Sequence, residues 1–205
     1  MRKSLLFVWA CMGLVCLMSA CKTSVKSKEW KLVWVEDFDQ KNSFDESVWT
    51  KIPRGTSDWN KYMSYYDSCY AMQDGNLILR GIANHTQKND TAPYLTGGVY
   101  TKGKKLFTGG RVEVCARLQA AKGAWPAIWM LPEKAEWPKG GEIDIMERLN
   151  HDHIAYQTTH SYYTHILGIK DNPPHGGINK INLEEYNIYS VDIYPDSLVF
   201  AVNHR

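Results

Sequence analysis

The sequence predicts an all-β domain built as a sandwich of two antiparallel sheets. Across residues 30–205, short apolar and aromatic runs recur at regular intervals and are separated by Gly, Pro, Asp and Asn turn residues. Several runs alternate apolar and polar residues with a period of two, whereas helical periodicity is weak. Many short strands joined by such turns are typical of sandwiches and jelly rolls.

The predicted strands follow in chain order. The first covers residues 30–35, and Asp74-Gly75 marks a hairpin turn between strands at residues 70–72 and 76–80. The others are predicted at residues 97–101, 110–118, 127–131, 142–147, 156–160, 188–194 and 198–202. Because the last of these would present an unpaired edge just before the final residue, we expect the C-terminal strands of the domain to be missing.

Length and composition narrow the possible functions. A chain of 205 residues is long enough for one domain with a sizeable core. The 24 basic residues nearly balance the 22 acidic ones, which argues against nucleic acid as a partner. The 8 Trp and 12 Tyr residues fit either a large core or a surface that stacks on sugars.

The N-terminal segment is predicted to be a targeting signal. Arg2 and Lys3 precede an apolar run at residues 5–18, which is too short to span a bilayer as a mature helix. Residues 1–20 therefore form a signal peptide, and small residues before Cys21 resemble a bacterial lipoprotein signal in which that cysteine is lipidated. The resemblance implies export with anchoring to the outer membrane or cell surface. A plain secretory signal is the alternative and implies a periplasmic or secreted protein.

Two further segments follow the signal. Residues 21–29 are polar and charged and are predicted to form a flexible tether, and the folded domain covers residues 30–205. In this domain Cys69 and Cys115 either form one disulfide, as export permits, or remain two buried thiols. No paired cysteine motif indicates a structural metal.

The most informative segment is an acidic strand at residues 142–147. In a strand Glu142 and Asp144 point to the same face, while the isoleucines that follow each of them point to the other. Strict alternation would turn Glu147 away, but a β-bulge at Met146 would return it to the acidic face. The sequence therefore predicts a row of three carboxylates on one sheet face, backed by an apolar core.

Such a row has a chemical and a non-chemical interpretation. Neighbouring carboxylates oppose one another's ionisation, which separates their pKa values and provides the acid and base that catalysis needs. A solvent-exposed strand edge is the alternative, since acidic residues mostly lie at the surface. The lack of any basic residue in the row favours the catalytic interpretation, because like charges along a strand are destabilising.

The surrounding motifs resemble glycoside hydrolase family 16, in particular the bacterial laminarinases and related endo-β-glucanases. The resemblance rests on Gly123-Ala124-Trp125-Pro126-Ala127-Ile128-Trp129-Met130-Leu131-Pro132, on Trp137-Pro138, and on Gly141-Glu142-Ile143-Asp144-Ile145-Met146-Glu147. It implies a jelly roll of two antiparallel sheets with a concave substrate cleft. It also implies that Glu142 is the nucleophile, Glu147 the general acid and base, and Asp144 a modulator that helps to keep Glu147 protonated by like-charge repulsion. No cofactor is required, and a structural calcium ion on the convex sheet is compatible with the family.

Aromatic residues and one histidine complete the expected site. By resemblance, Trp125 and Trp137 line the sugar subsites next to the cleavage point, and pyranose faces stack on such rings. Trp129 lies in the same block, where core and cleft positions are equally open to it. His160 matches a family position beside the acids, although a structural role is the alternative.

A metal centre is an alternative, because His151, Asp152 and His153 lie close in sequence and further histidines follow, among them those at positions 160, 165 and 175. Their spacing matches no familiar zinc pattern, so we predict no metal site.

These observations predict a monomeric, retaining endo-β-glycanase acting on a β-1,3- or β-1,3/1,4-glucan. The expected cleft loops depart from the family pattern, for example at Trp59, where the family usually has Glu, and after Glu147, where Arg148 begins an unusual continuation. Substrate choice is made in such loops, so endo-β-galactosidase action on mucin O-glycans or galactans is the alternative. A non-catalytic sugar-binding module is the alternative of another class.

Overall fold

The structure, a computed structural model, describes residues 30–40, 42–119 and 121–205. Residues 32–205 form one compact unit. The predicted signal peptide, the tether and Cys21 therefore lie outside the described residues. Within the described part, no helix combines the length and apolar character that crossing a bilayer requires.

Strands dominate the described residues, with one short 3-10 helix at Asp67–Cys69 and one π-helix at Tyr162–Ile166. The strands are β1 (Thr50–Lys51), β2 (Tyr70–Gln73), β3 (Asn76–Leu79), β4 (Gly81–Ala83), β5 (Tyr94–Thr96), β6 (Val99–Tyr100), β7 (Gly110–Ala116), β8 (Ala127–Met130), β9 (Glu142–Glu147), β10 (Ile154–His160), β11 (Gly176–Lys180), β12 (Asn187–Ile193) and β13 (Leu198–Val202). The all-β prediction is confirmed.

Two antiparallel sheets organise the molecule. One has four strands in the order β11-β10-β9-β8, and the other has three in the order β13-β12-β7. Three two-stranded ribbons, β1-β6, β2-β3 and β4-β5, complete the described strands. The β2-β3 hairpin turns at Asp74 and Gly75, both with positive φ, as predicted for this Asp-Gly pair.

The core lies between the two larger sheets. Ile145 and Met146 of β9, with Ala155 of β10, pack in one buried cluster with Tyr189 and Val191 of β12. Burial of this face leaves the other face of β9 for polar side chains, which is where the acids lie.

One strand prediction is wrong. Residues 30–40 have no regular secondary structure, and Leu32 and Val33 are 76% and 87% exposed. Strand-like composition is not sufficient there, because none of the described strands pairs with this segment and a strand needs a hydrogen-bonded neighbour. Its Trp34 nevertheless packs against the rings of Trp49 and Phe107, with centroids 6.4 and 5.7 Å away.

Neither cysteine prediction holds completely. Cys69 and Cys115 are both free, so they do not form the disulfide. Cys69 is a buried thiol, as the alternative prediction stated, and desolvation raises its pKa. Cys115 is exposed, because it falls on the outward positions of β7, where exposed and half-buried residues alternate.

Candidate active site

The β-bulge in β9 brings the three acids together. Trp129 of β8 lies opposite Asp144, whereas its neighbour Ile128 lies opposite Met146, so Ile145 is the extra residue. Against β10, the register likewise slips by one residue between Asp144 and Glu147. The prediction of a bulge is confirmed, at Ile145 and Met146 together, and both of these side chains enter the core.

Each outer acid is anchored by one indole N–H. Nε1 of Trp137 donates to Oε2 of Glu142 at 2.7 Å, and Nε1 of Trp125 donates to Oε1 of Glu147 at 2.7 Å. Both tryptophans come from the segments that flank β8, and each is 48% exposed. The two indoles therefore hold the carboxylates and still present ring surface to solvent, as the resemblance implied for sugar-facing residues.

Asp144 lies between them in a different environment. It is only 3% exposed. Burial, followed by the charges of Glu147 and Glu142, raises its pKa to about 8. Asp144 therefore keeps a proton near neutral pH.

This finding alters the expected electrostatics. The sequence prediction used repulsion from an ionised Asp144 to keep a proton on Glu147. A protonated Asp144 exerts no such repulsion. Like-charge repulsion instead acts from Glu147 and Glu142 on Asp144, whose pKa it raises together with burial.

His160 completes the row on the neighbouring strand. It lies opposite Glu142 in the β9-β10 register, and its Nε2 is 3.2 Å from Oδ2 of Asp144. The imidazole N–H and the Asp144 carboxyl are not aligned for a hydrogen bond at this distance. Oδ2 of Asp144 has no other hydrogen-bond partner among the described residues. The imidazole therefore stands next to the row and is half exposed, in a position to meet both the acid and a bound ligand.

Cross-strand neighbours show which other side chains share the acidic face. Trp129 and Thr158 flank Asp144 on either side, and Tyr156 flanks Glu147. Trp129 thus lies on the face of the acids, half-buried, and Trp59 packs edge-on against its ring at 5.3 Å between centroids. This register favours the cleft position for Trp129 over the core position.

The hydroxyl of Tyr156 is oriented by the turn between β9 and β10. It donates to Oδ2 of Asp152 at 2.8 Å, and this bond, burial and the Asp152 charge raise the pKa of Tyr156. The backbone oxygen of Asp152 accepts from Nε of Arg148 at 2.7 Å. Arg148 is fully buried and also donates to the backbone oxygen of Leu118, so it supports the turn. The sequence had suggested that Arg148 lies in a cleft loop, and it does not.

A loop after β10 covers the Glu142 end of the row. It begins at Ser161 and contains the π-helix, which places His165 against Trp137 with ring centroids 4.4 Å apart and an edge-on geometry. The sequence alone did not single out this contact. Tyr156 and Thr158 were also missed, although their period-two spacing from His160 is a signal that could have identified them.

Potential metal ligands converge at one place in the described residues. A carboxylate oxygen of Asp144, one of Glu147 and a ring nitrogen of His160 all lie within 4.8 Å of one another. His151 and His153 belong to no such group in the described part of the chain. The convergent set consists of two of the three acids and the neighbouring histidine.

The fold, with its row of three acids on one sheet face, is that of a jelly-roll glycoside hydrolase. Residues 61–187 match the family model described as the XgeA-like, catalytic GH16 domain. The chain belongs to glycoside hydrolase family 16.

Similar proteins include two with different described activities. A keratan-sulfate endo-1,4-beta-galactosidase from Sphingobacterium multivorum is 38% identical over 191 residues, covering 89% of this chain and 43% of that protein. A beta-glucanase from Rhodothermus marinus is 30% identical over 200 residues, covering 92% of this chain and 68% of that protein. The chain thus spans less than half of the first relative and about two thirds of the second.

Solved structures show the same architecture. The laminarinase catalytic domain from Thermotoga maritima MSB8 superposes with a TM-score of 0.73 at 27% identity, covering 87% of this chain and 76% of that one. The laminarinase from Rhodothermus marinus gives a TM-score of 0.74 at 29% identity, covering 85% and 72% of the two chains. The jelly-roll prediction is confirmed.

Proposed function

We propose that this protein is an endo-acting, retaining β-glycanase in which Glu142 is the nucleophile and Glu147 the general acid and base. The observation that carries the proposal is the matched pair of 2.7 Å indole bonds to these two carboxylates, on one sheet face with a buried carboxyl between them. Retaining glycosidases need two carboxyl groups close enough for one to attack while the other protonates.

The side chains account for both steps of the reaction. Glu142 attacks the anomeric carbon as Glu147 gives its proton to the departing glycosidic oxygen, so one carbon–oxygen bond forms while another breaks. Glu147 then removes a proton from water, which attacks the same carbon and releases Glu142. The N–H of Trp137 binds one oxygen of Glu142 and leaves the other oxygen free to attack.

Asp144 and His160 assist from the middle of the row. Asp144 stays protonated near neutral pH and so adds no further negative charge between the two glutamates. His160, at 3.2 Å from Asp144, faces the site where a sugar hydroxyl would bind. Neither role requires a cofactor.

The substrate that we propose is a galactose-containing glycan with internal β-linkages, of the keratan-sulfate or mucin type. The support is the 38% identity to the keratan-sulfate endo-1,4-beta-galactosidase, against 30% to the beta-glucanase over a similar length. The Trp59–Trp129 pair adds an unusual aromatic wall beside Asp144. A β-1,3- or β-1,3/1,4-glucan remains the second candidate, which the beta-glucanase and the laminarinase structures support.

The test is hydrolysis by the full-length protein of keratan sulfate, mucin O-glycans, agarose-type galactans, laminarin and mixed-linkage glucan. Oligosaccharide products of intermediate size would support endo action, and NMR of the newly formed anomers would distinguish retention from inversion. A 2-deoxy-2-fluoro glycoside should form a covalent adduct whose peptide maps to Glu142. An adduct on another residue would contradict the assignment of the nucleophile.

Two variants separate catalysis from binding. Glu142→Gln and Glu147→Gln should each lower turnover by about a thousand-fold or more while glycan affinity changes little. If wild-type protein binds glycans but releases no product from any of them, the non-catalytic sugar-binding module is the correct interpretation.

We further propose that the protein is exported and anchored through a lipid on Cys21. The support is the basic start, the apolar run and the small residues before this cysteine. Metabolic labelling with a fatty acid should mark the wild-type protein, whereas Cys21→Ser should stay unlabelled. A labelled Cys21→Ser variant would contradict the proposal.

A further inference from the structure

The two ends of the acidic row differ in one respect. Trp137 and Trp125 are equally exposed, at 48%, and donate equally short bonds of 2.7 Å to Glu142 and Glu147. An imidazole, that of His165, packs edge-on against the ring of Trp137 at 4.4 Å between centroids. Within the described residues, no aromatic ring packs in this way against Trp125. The indole that holds Glu142 therefore has an aromatic neighbour at its side, whereas the one that holds Glu147 has none among the described residues.

The loop that carries His165 is ordered by its own hydrogen bonds. Ser161 and Thr164 bond reciprocally, since the Ser161 N–H donates to Oγ1 of Thr164 at 2.9 Å and the Thr164 N–H donates to Oγ of Ser161 at 3.2 Å. The His165 N–H donates to the backbone oxygen of Ser161 at 2.8 Å. Thr164 is buried at this point, so the backbone of His165 is attached directly to the end of β10.

The far side of the loop is fixed as well. The hydroxyl of Tyr163 donates to the backbone oxygen of Asn172 at 2.8 Å. Both the N–H and the hydroxyl of Thr159 donate to the backbone oxygen of His175, at 2.7 and 3.0 Å. These bonds place the imidazole of His165 on the Trp137 ring without depending on a ligand.

We propose that His165 is a positioning residue for the nucleophile, acting through Trp137. An edge-on aromatic neighbour restricts the tilt of the indole, and the direction of the indole N–H sets which oxygen of Glu142 is bound and which remains free to attack. His165 needs no contact with the substrate or with the acids for this role, and its ring lies 6.4 Å from that of His160. The role in catalysis rests on the function proposed above, whereas the orientation of Trp137 does not.

A double-mutant cycle tests whether His165 acts through Trp137. His165→Ala should lower kcat/KM about three- to ten-fold, the size expected for one aromatic pair, and His165→Phe should restore it to within about two-fold of wild type. In a Trp137→Ala background, His165→Ala should change kcat/KM less than about two-fold, because its partner is absent. His151→Ala, at an exposed position in the turn before β10, is the matched control and should leave kcat/KM unchanged. Equal effects of His165→Ala in both backgrounds would overturn the proposal.

A second measurement needs no turnover. In protein labelled with ¹⁵N-tryptophan, the indole N–H signals of Trp137 and Trp125 can be assigned from their loss in Trp137→Phe and Trp125→Phe. His165→Ala should shift the Trp137 signal and speed its exchange with water, and should leave the Trp125 signal in place as an internal control. An unchanged Trp137 signal would overturn the proposal. If wild-type protein hydrolyses no glycan, the proposed function fails, and this spectrum still decides whether His165 orients Trp137.

Discussion

Replacing Asp144 with Asn should remove a pH-dependent loss of stability from the folded protein. The carboxyl of Asp144 has a pKa near 3.8 in the unfolded chain and about 8 in the folded structure. Between these values the folded state binds the proton that the unfolded state has released. The free energy of unfolding therefore falls as pH rises from about 4 to about 8, and it levels off above that range.

The magnitude follows from the size of the pKa change. A single titrating group changes the unfolding free energy by at most about 1.4 kcal/mol per pH unit. Between pH 5 and pH 8 the wild type should therefore lose about 3 to 4 kcal/mol through Asp144. Asn has nearly the same shape and no charge at any of these pH values, so Asp144→Asn should gain in stability relative to wild type by this amount over the same range.

Urea unfolding followed by tryptophan fluorescence at half-unit pH intervals would measure this difference. The control is Ser190→Ala, a buried position on β12 with no titrating side chain, which should differ from wild type by a constant amount. Curves for wild type and Asp144→Asn that stay parallel from pH 5 to pH 8 would refute the idea that Asp144 is protonated in the folded protein.

Other predictions concern the indole bond, the buried arginine, the loop cap and metal removal. Trp125→Phe removes a 2.7 Å hydrogen-bond donor to Glu147 and should lower kcat/KM on a natural glycan about ten-fold or more. The loss should be much smaller on an aryl glycoside, because its leaving group needs no proton. Equal losses on both substrates would contradict the role of Glu147. Arg148→Met leaves two backbone oxygens without their hydrogen-bond donor and should lower the free energy of unfolding, measured in urea, by about 3 kcal/mol. The control Arg205→Met, at an exposed position, should cost less than about 0.5 kcal/mol. Similar costs for the two variants would contradict the structural role of Arg148. Thr164→Val removes one of the two bonds of the reciprocal cap, that from the Ser161 N–H to Oγ1 of Thr164. It should cost about 1 kcal/mol and reproduce the kinetic effect of His165→Ala, whereas Thr164→Ser should keep both near wild type. Wild-type kinetics in Thr164→Val would contradict the importance of the loop geometry. Dialysis against EDTA should leave turnover unchanged, because carboxylates supply the acid and the nucleophile. A loss of turnover that one divalent cation restores would show that the group of Asp144, Glu147 and His160 binds a metal needed for activity.

Local pattern was sufficient to predict the acidic row. The alternation Glu142, Ile143, Asp144 sets the face of the first two acids, and the need to bring Glu147 to that face predicted the bulge that the register shows. The alternation and the bulge depend on residues only a few positions apart. Trp125 and Trp137 were placed near the site by the family resemblance, as sugar-facing residues, and their bonds to Glu147 and Glu142 were not predicted.

Features that depend on distant contacts were not predictable. The exposure of Leu32 and Val33 reflects the absence of a pairing strand among the described residues, which composition does not reveal. The contact of His165 with Trp137 depends on the path of a loop through a π-helix, and the burial of Arg148 depends on backbone oxygens at Leu118 and Asp152. In each case the deciding partner belongs to another element of the fold.

The bulge also has a consequence for tolerance to sequence change. Because Ile145 and Met146 are consecutive residues that both enter the core, the apolar packing fixes how many residues separate Glu142 from Glu147. Deleting Ile145 would restore strict alternation and keep the three acids on one face, but it would remove a core side chain and bring Glu142 and Glu147 one residue closer along the strand. The separation of Glu142 and Glu147 is thus set on the buried side of the sheet, and substitutions in the core can alter it while every residue on the acidic face stays the same.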